Sequence, residues 1–296
     1  MRFLLLLLPA LVHARLSINV DVATRESDVN VILLGEDDRV IDDDETREFR
    51  LTDSPLKNAC SRYYGPWPTD AYLHSPTPWG DLYQTYGWTQ VHRKLKPVKA
   101  SILGIHSEPA IIATRRFTNN ATKTAQYKAE LSQSVSNTIS NSWNLQHTIH
   151  VGQEISAEFV IPIGKIGGKT TLSYDHQWGK SGGTSNTVTV AASSGVTIPV
   201  EPGDTVEAIM TASQGTMEIE VVYEASLHGD VALNYDGGWN GHYFWKYDVN
   251  AVMAAGGLLR TLQVTEILKV GFYTDVEIVL YEKSGNKRVL MADITF

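Results

Sequence analysis

The chain has 296 residues, with 25 basic and 33 acidic side chains and a formal net charge of −8. This acidic balance disfavours nucleic acid as a partner, because phosphate binding needs a basic surface. Cys60 is the only cysteine, which excludes a disulfide scaffold and a cysteine-ligated zinc site. Two interpretations remain open for Cys60: its thiol is buried in a core, or it forms a disulfide with a second chain.

Residues 1–14 combine a charged start, an apolar run from Leu4 to Leu8 and the small residue Ala14. The pattern is typical of a secretory signal peptide cleaved after Ala14. Its apolar run is shorter than the roughly 20 residues that span a bilayer. We therefore expect a secreted, extracellular protein. The sequon Asn120-Ala121-Thr122 makes Asn120 a candidate N-glycosylation site.

Residues 15–103 form the predicted N-terminal head. It begins with short alternating runs and an acidic, solvated loop, and then turns rich in Tyr, Trp, Pro and Gly over residues 60–92. Tyr and Trp combine apolar area with a polar tip. The segment therefore predicts either a surface for sugars or lipid headgroups, centred on Trp67, Trp79 and Trp88, or a loop-rich small core.

Catalytic patterns are missing from the sequence. It contains no Gly-x-Ser-x-Gly, His-Glu-x-x-His or phosphate-loop motif. The histidines are scattered, and His147 and His150 lie three apart, hence on opposite faces of a strand. We predict no enzymatic activity, no cofactor and no metal site.

From Tyr127 to Val151 the chain alternates with a period of two. Odd positions are mostly apolar, and even positions are mostly Ser and Thr. This period predicts a strand of about 80 Å, at roughly 3.3 Å per residue, where about five or six residues are usual. With Gly- and Pro-containing turns between further alternating runs, residues 104–296 predict an elongated all-β fold with long, twisted antiparallel strands.

The alternation continues through Phe159, meets a turn, and returns from Lys169 to Trp178, which predicts a hairpin over about 147–178. Each arm has about ten residues with one apolar and one polar face, as a tilted strand in a membrane barrel requires. Such a hairpin leaves backbone edges unpaired in lipid, so several subunits must close one barrel. A one-sided sheet of a soluble protein shows the same alternation, but the strand length and the Ser/Thr bias on both flanks favour the barrel.

Over residues 105–230 the order of elements resembles the aerolysin-type β-pore-forming toxins. It runs from the long Ser/Thr strand to the apolar segment Val160–Gly164, then to a second Ser/Thr strand at Thr187–Val190 and to the Pro202-Gly203 turn. The resemblance implies an elongated all-β fold, secretion in soluble form, binding to a membrane lipid or glycan receptor, homo-oligomerisation and a transmembrane β-barrel.

By position, the resemblance also implies roles for single residues. It places the hairpin tip at Phe159, Val160, Ile161, Pro162 and Ile163, lipid-facing side chains at Ile149, Val151, Ile155, Leu172 and Tyr174, and lumen-facing side chains at Glu154, Glu158, Lys169 and Asp175. Replacing Ile155 with Asp is then expected to abolish leakage and to spare folding.

Two other functions stay open. Eukaryotic relatives of this fold include insect follicular yolk proteins and slime-mould spherulins, so a non-lytic storage or egg-matrix protein is the second candidate. A secreted glycan-binding module using Trp67, Trp79 and Trp88 is the third. The end of the chain, from Val276 to Phe296, resembles an integral hairpin, which disfavours activation by removal of a C-terminal propeptide.

Overall fold

The computed structural model describes residues 16–23, 25–152, 154–162, 169–282 and 287–291; the predicted signal peptide at 1–14 lies outside them. None of the helices in these residues has the length and apolar character needed to cross a membrane. The four helices described are α1 (Asp43–Glu48), α2 (Asp53–Tyr63), α3 (Pro78–Tyr86) and α4 (Val249–Gly256). The strands are β1 (Leu16–Asp21), β2 (Asn30–Leu34), β3 (Asp37–Val40), β4 (Asp70–Tyr72), β5 (His92–Thr118), β6 (Ala125–Asn144), β7 (Glu154–Pro162), β8 (Lys169–Gln177), β9 (Gly182–Val200), β10 (Thr205–His228), β11 (Asp230–Trp239), β12 (His242–Asp248), β13 (Thr261–Glu282) and β14 (Lys287–Met291).

A long antiparallel sheet forms the body, in the order β3-β5-β10-β13-β6-β9, with β14 paired to β13. Strand β5 has 27 residues, which is about 90 Å at roughly 3.3 Å per residue. The predicted elongated all-β fold is thereby confirmed. The β13–β14 pairing also agrees with an integral hairpin at the end of the chain.

Strand β6 follows the predicted alternation, with its even-numbered residues from Lys128 to Ser142 exposed and most of its odd-numbered residues buried. The prediction of an unbroken strand through Val151 to Phe159 is wrong, because β6 ends at Asn144 and β7 begins at Glu154. Contacts far away in sequence hold the intervening segment. His147 Nδ1 lies 2.9 Å from Glu48 Oε2 of α1, and the Arg93 guanidinium donates a hydrogen bond to the carbonyl oxygen of His150.

The sheet has a separate core at each end. At one end the β6–β9 pair packs over β10 and β13, where Leu131 and Val135 meet Met210 and Ile278. At the other end a larger core joins the body to a second, four-stranded sheet in the order β2-β1-β7-β8. Strand β1 pairs in parallel with β7, and β7 pairs in antiparallel with β8. The predicted hairpin therefore exists as β7–β8 and lies against the body.

The sheet that contains β4 of the predicted head is completed by strands from outside residues 15–103. This three-stranded sheet, β12-β11-β4, takes two strands from residues 230–248, whereas β1 pairs with β7 of the hairpin and β2 pairs with β1. Helices α2 and α4 pack so closely that a Cβ on Gly256 would lie 2.6 Å from the Cβ of Ala59. The segment 60–92, predicted to be loop-rich, contains the end of α2 and all of α3. Pro78 at the first position of α3 is a helix start signal.

Cys60 is buried in α2, on the side that packs into the large core. Burial alone raises the pKa of its thiol to about 12. The thiol is therefore neutral at physiological pH and shielded from a second chain. This supports the interpretation that Cys60 is a core residue.

A buried ion cluster joins the edge of the body to α1. Arg93 is fully buried, and its Nε donates to Glu45 Oε1 over 2.9 Å while its Nη1 donates to Asp37 Oδ2 over 2.7 Å. Glu45 is also fully buried, and it stands 3.3 Å from the Arg39 guanidinium. The cluster positions α1, which in turn contacts the segment before the hairpin.

We expect Arg93→Leu to lower the free energy of unfolding by about 3 kcal/mol, because it leaves a buried carboxylate with a poorer partner. Urea denaturation followed by tryptophan fluorescence measures the loss. Arg116→Leu is the matched control, since Arg116 forms an exposed pair with Glu207 that is worth less than about 1 kcal/mol. Equal losses in the two variants would contradict a structural role for the cluster.

Candidate functional site

The β7–β8 hairpin has two faces of opposite character. The strands are nine residues each and pair from Glu154 opposite Gln177 to Pro162 opposite Lys169. The inward face is buried and mostly apolar, and comprises Ile155, Ala157, Phe159, Ile161, Leu172, Tyr174 and His176. The outward face carries the exposed side chains Glu154, Glu158, Lys169 and Asp175.

The predicted lipid-facing residues separate into two groups. Ile155, Leu172 and Tyr174 share the buried face of the hairpin. Ile149 is buried and Val151 is partly buried, but both precede β7 and lie outside any strand. The histidine contacts that end the long strand at β6 are the reason these two residues are not part of the hairpin.

The predicted tip falls mostly inside β7. Phe159 and Ile161 point inward, Val160 and Pro162 lie on the opposite face, and Ile163 is outside the described residues. Complete burial of Ile155 also changes one expectation. An Asp at position 155 would place a carboxylate in the core of the soluble protein, so Ile155→Asp cannot be expected to spare folding.

A buried polar cluster connects the hairpin to the body through Glu266 of β13. Its carboxylate accepts hydrogen bonds from Asn141 Nδ2 and from the Tyr223 hydroxyl, both over 2.8 Å. His176 of β8 places Nε2 2.6 Å from Glu266 Oε1, although the ring is not aligned for a hydrogen bond. Tyr174 of β8 donates from its hydroxyl to Asn141 Oδ1 over 2.9 Å.

Electrostatic shifts around Glu266 follow its burial. Burial first, and then the negative charge of Glu266, raise the pKa of Tyr223 well above its ordinary value and also raise the pKa of Tyr174. Both hydroxyls therefore keep their protons and act as donors. Sequence reasoning missed this cluster. The sequence signal for this cluster is Glu266 itself, a charged residue on the inward face of β13 between the buried residues Val264 and Leu268.

Two of the three tryptophans predicted as a surface of the head, Trp79 and Trp88, belong to one group of rings. Trp79 packs on Phe244 with ring centroids 5.1 Å apart, and Trp88 stacks on Tyr86 at 4.9 Å. Tyr86 also approaches Phe244, at 6.1 Å, so the four rings form one group. Trp67 has no ring contact with this group in the described residues.

Trp79 sits on a strained backbone. Its φ is +62°, and it is followed by two more residues with positive φ. A non-glycine residue costs about 1–3 kcal/mol in this region, and such strain is found most often at functional sites. The side chain of Trp79 is nonetheless about half exposed. The backbone at Trp79 therefore holds a large, half-exposed apolar ring at a cost in energy.

The sequon lies at the end of the body remote from the head. Asn119 is buried and binds its own loop, because its Nδ2 donates to the carbonyl oxygens of Lys123 and Val200. The next residue, Asn120, is exposed. Its side chain is accessible to a glycosyltransferase.

Comparison with known proteins places the chain among toxins. A family model described as Clostridium epsilon toxin ETX/Bacillus mosquitocidal toxin MTX2 matches residues 100–257. U-megalopygitoxin(8)-Mc8 of Megalopyge crispata is 34% identical over 253 residues, which cover 86% of this chain and 87% of that protein. U-megalopygitoxin(8)-Mo12 of Megalopyge opercularis is 35% identical with the same coverage. The residues that the family model matches include β6, the β7–β8 hairpin and β9.

One solved structure supports the fold. The parasporin-2 toxin of Bacillus thuringiensis superposes with a TM-score of 0.54 at 19% identity, over 83% of this chain and 97% of that chain. The aerolysin-like fold implied by the sequence resemblance is confirmed.

We expect Glu266→Ala to loosen the hairpin, because it leaves Asn141 and Tyr223 with unmet donors in the core. Hydrogen exchange of the backbone amides in β8 measures the effect and should quicken at least tenfold, while exchange in β11 stays unchanged. Glu224→Ala removes a partly exposed carboxylate from the same sheet and is the control. Unchanged exchange in β8 would show that Glu266 does not retain the hairpin.

Proposed function

Because this chain belongs to the Clostridium epsilon toxin/Bacillus mosquitocidal toxin family, we propose that it is a secreted protein that oligomerises on membranes and inserts β7–β8 to form a β-barrel pore. The observation that carries this proposal is the hairpin itself, with a buried, mostly apolar face stored against the body and a mostly polar face in water. The proposal assigns the protein no catalytic activity.

The dimensions of the hairpin support insertion. Each strand has nine residues, close to the 9–11 that cross a bilayer at a tilt of about 45°. In the inserted state Ile155, Leu172 and Tyr174 face lipid, and the exposed acidic and basic side chains of the outward face line the lumen. One hairpin leaves two open edges, so several copies must associate to satisfy their backbone groups.

The flanking strands support the same conclusion. Strands β6 and β9, which precede and follow the hairpin in sequence, already pair with each other from Asn141 opposite Gly182 to Ala125 opposite Val200. Hydroxyl groups face each other across this pair, as between Ser134 and Thr189, at 3.4 Å. A polar row of this kind suits both the surface of a soluble sheet and the wall of a water-filled barrel.

The segment 145–152 supports a second conformation of the chain. Its odd positions continue the apolar row of β6 with Leu145, Ile149 and Val151, yet the segment forms no strand. A segment that has the alternation of a strand but forms no strand is expected where the same residues adopt two different structures. In the pore, β6 continues through this segment into β7, and the contacts of His147 and His150 with α1 are released.

A reversible cross-link tests the release of the hairpin. Ser17 of β1 and Ser156 of β7 are direct neighbours on the outward face, and adjacent strands are within reach of a disulfide. We expect oxidised S17C/S156C to release no calcein from lipid vesicles under conditions in which the wild type does, and reductant to restore release. Buried Cys60 does not compete for pairing.

The control links the hairpin to itself. Ser156 and Asp175 face each other within β7–β8, so oxidised S156C/D175C can still insert as a unit and should release calcein. Wild-type release with a heat-labile oligomer on an unboiled SDS gel is expected after binding, proteolysis or mild acid. Release by the oxidised S17C/S156C protein refutes hairpin insertion. No release by wild type under any trigger favours the storage or matrix function.

We further propose that the group of Trp79, Tyr86, Trp88 and Phe244 binds the membrane headgroup or glycan receptor. Half-exposed Trp79, with its positive φ inside α3, carries this assignment. We expect Trp79→Ala to lower binding to vesicles or to a glycan column at least tenfold, measured by co-sedimentation and column retention. Trp67→Ala, on a ring outside the group, is the matched control, and an equal loss in both variants would refute the assignment.

A further inference from the structure

Three side chains distant in sequence meet where β3, β5 and β10 lie side by side. His92 begins β5, His228 ends β10, and Asp38 lies in β3. His92 Nδ1 is 2.9 Å from Asp38 Oδ1, and His228 Nε2 is 2.9 Å from Asp38 Oδ2. The two imidazole rings have centroids 5.2 Å apart. The three donor groups lie within 4.8 Å of one another.

The strand register explains why these groups share one face. His92 is directly opposite His228 in the β5–β10 ladder and directly opposite Val40 in the β5–β3 ladder. Asp38 is two residues from Val40, so it points to the same side as both histidines. The next residue of β5, Arg93, points to the other side and binds Glu45. The arrangement is therefore fixed by backbone pairing.

The chemistry of the group suits a metal ion. Burial of the Asp38 carboxylate opposes ionisation, but hydrogen bonds and charge from His92 and His228 outweigh it, and the pKa of Asp38 lies below its ordinary value. Two imidazoles and one carboxylate are a donor set that Zn²⁺ takes at about 2.0–2.2 Å per bond. The nearest competing cation, Lys94 Nζ, stands 3.9 Å from Asp38 and closer to Glu36, at 3.2 Å.

We propose that Asp38, His92 and His228 bind one divalent transition-metal ion of the zinc class, with the remaining coordination position open to solvent. On binding, His92 Nδ1 and His228 Nε2 change from hydrogen-bond donors to ligands: each nitrogen loses its proton to solvent, and the other ring nitrogen carries the N–H. The ion then cross-links three strands beside Gly229. A Cβ at Gly229 would lie 2.2 Å from the Gln90 carbonyl oxygen. The backbone segments around Gly229 and Gln90 are therefore in close contact, and only glycine fits at position 229.

A second group of acidic and histidine side chains is less suited to a metal. Asp42, Asp44 and His150 also lie close together. However, Asp42 caps α1 and pairs with Arg39, and Asp44 pairs with Arg47, so guanidinium groups already neutralise both carboxylates. This group supplies the control for the experiment.

Isothermal titration of the mature chain with ZnCl₂ at pH 7.5 tests the proposal independently of any pore activity. We expect one equivalent to bind, and at least tenfold weaker binding in His228→Gln and in Asp38→Asn. His150→Gln and the exposed His106→Gln should bind as the wild type does. Mg²⁺ should not bind, because it prefers oxygen ligands.

Thermal melting without metal establishes that each variant is folded. Added zinc should raise the melting temperature of wild type and of His150→Gln, and leave that of His228→Gln unchanged. The proposal is overturned by an absence of zinc binding at pH 7.5. It is equally overturned if His228→Gln binds normally, or if the loss occurs in His150→Gln instead.

Discussion

The apolar face of the β7–β8 hairpin has to be kept from water, and the arrangement of the rest of the chain follows from this need. The body supplies a matching surface along β10 and β13, and β1 covers the open edge of β7. Burying Ile155, Phe159, Ile161 and Leu172 contributes roughly 1.5–3 kcal/mol for each side chain. The Glu266 cluster adds direction to this apolar contact, because the Tyr174 hydroxyl of β8 donates to Asn141 of β6, which in turn donates to Glu266. The same face that stabilises the soluble form is the face proposed to enter lipid.

Much of the body could be predicted from sequence because a period of two is a local property. The faces of β6, both strands of the hairpin and the elongated all-β class all follow from alternation. The break at residues 145–152 could not be predicted from local alternation, since the contacts that hold this segment come from Arg93 and α1. The prediction fails at the one place where the proposed mechanism needs two structures, which is where local and tertiary signals are expected to disagree.

Groupings that depend on register were also beyond sequence reasoning. His92 and His228 look scattered, yet a ladder pairs them directly. Trp67 and Trp79 look like members of one surface, yet the ring contacts of Trp79 are with Tyr72 and Phe244. In both cases the residue types indicated the chemistry, but the distances between the residues in space could not be derived from the sequence. The small core of the head is formed by two chain segments, residues 60–92 and 230–258. Neither segment alone has the composition of a complete core, so this core could not be recognised from composition.

The parallel pairing of β1 with β7 sets an order of events during synthesis. Leu16 aligns with Ile155, so the strand that covers the hairpin edge must wait for about 140 further residues before its partner exists. Contacts at such separation form slowly, because the loop between them loses entropy before any contact rewards it. Until then β1 has only β2 to pair with, and the hairpin that follows emerges with an uncovered edge. The newly made chain is thus most prone to aggregate just before this pairing closes.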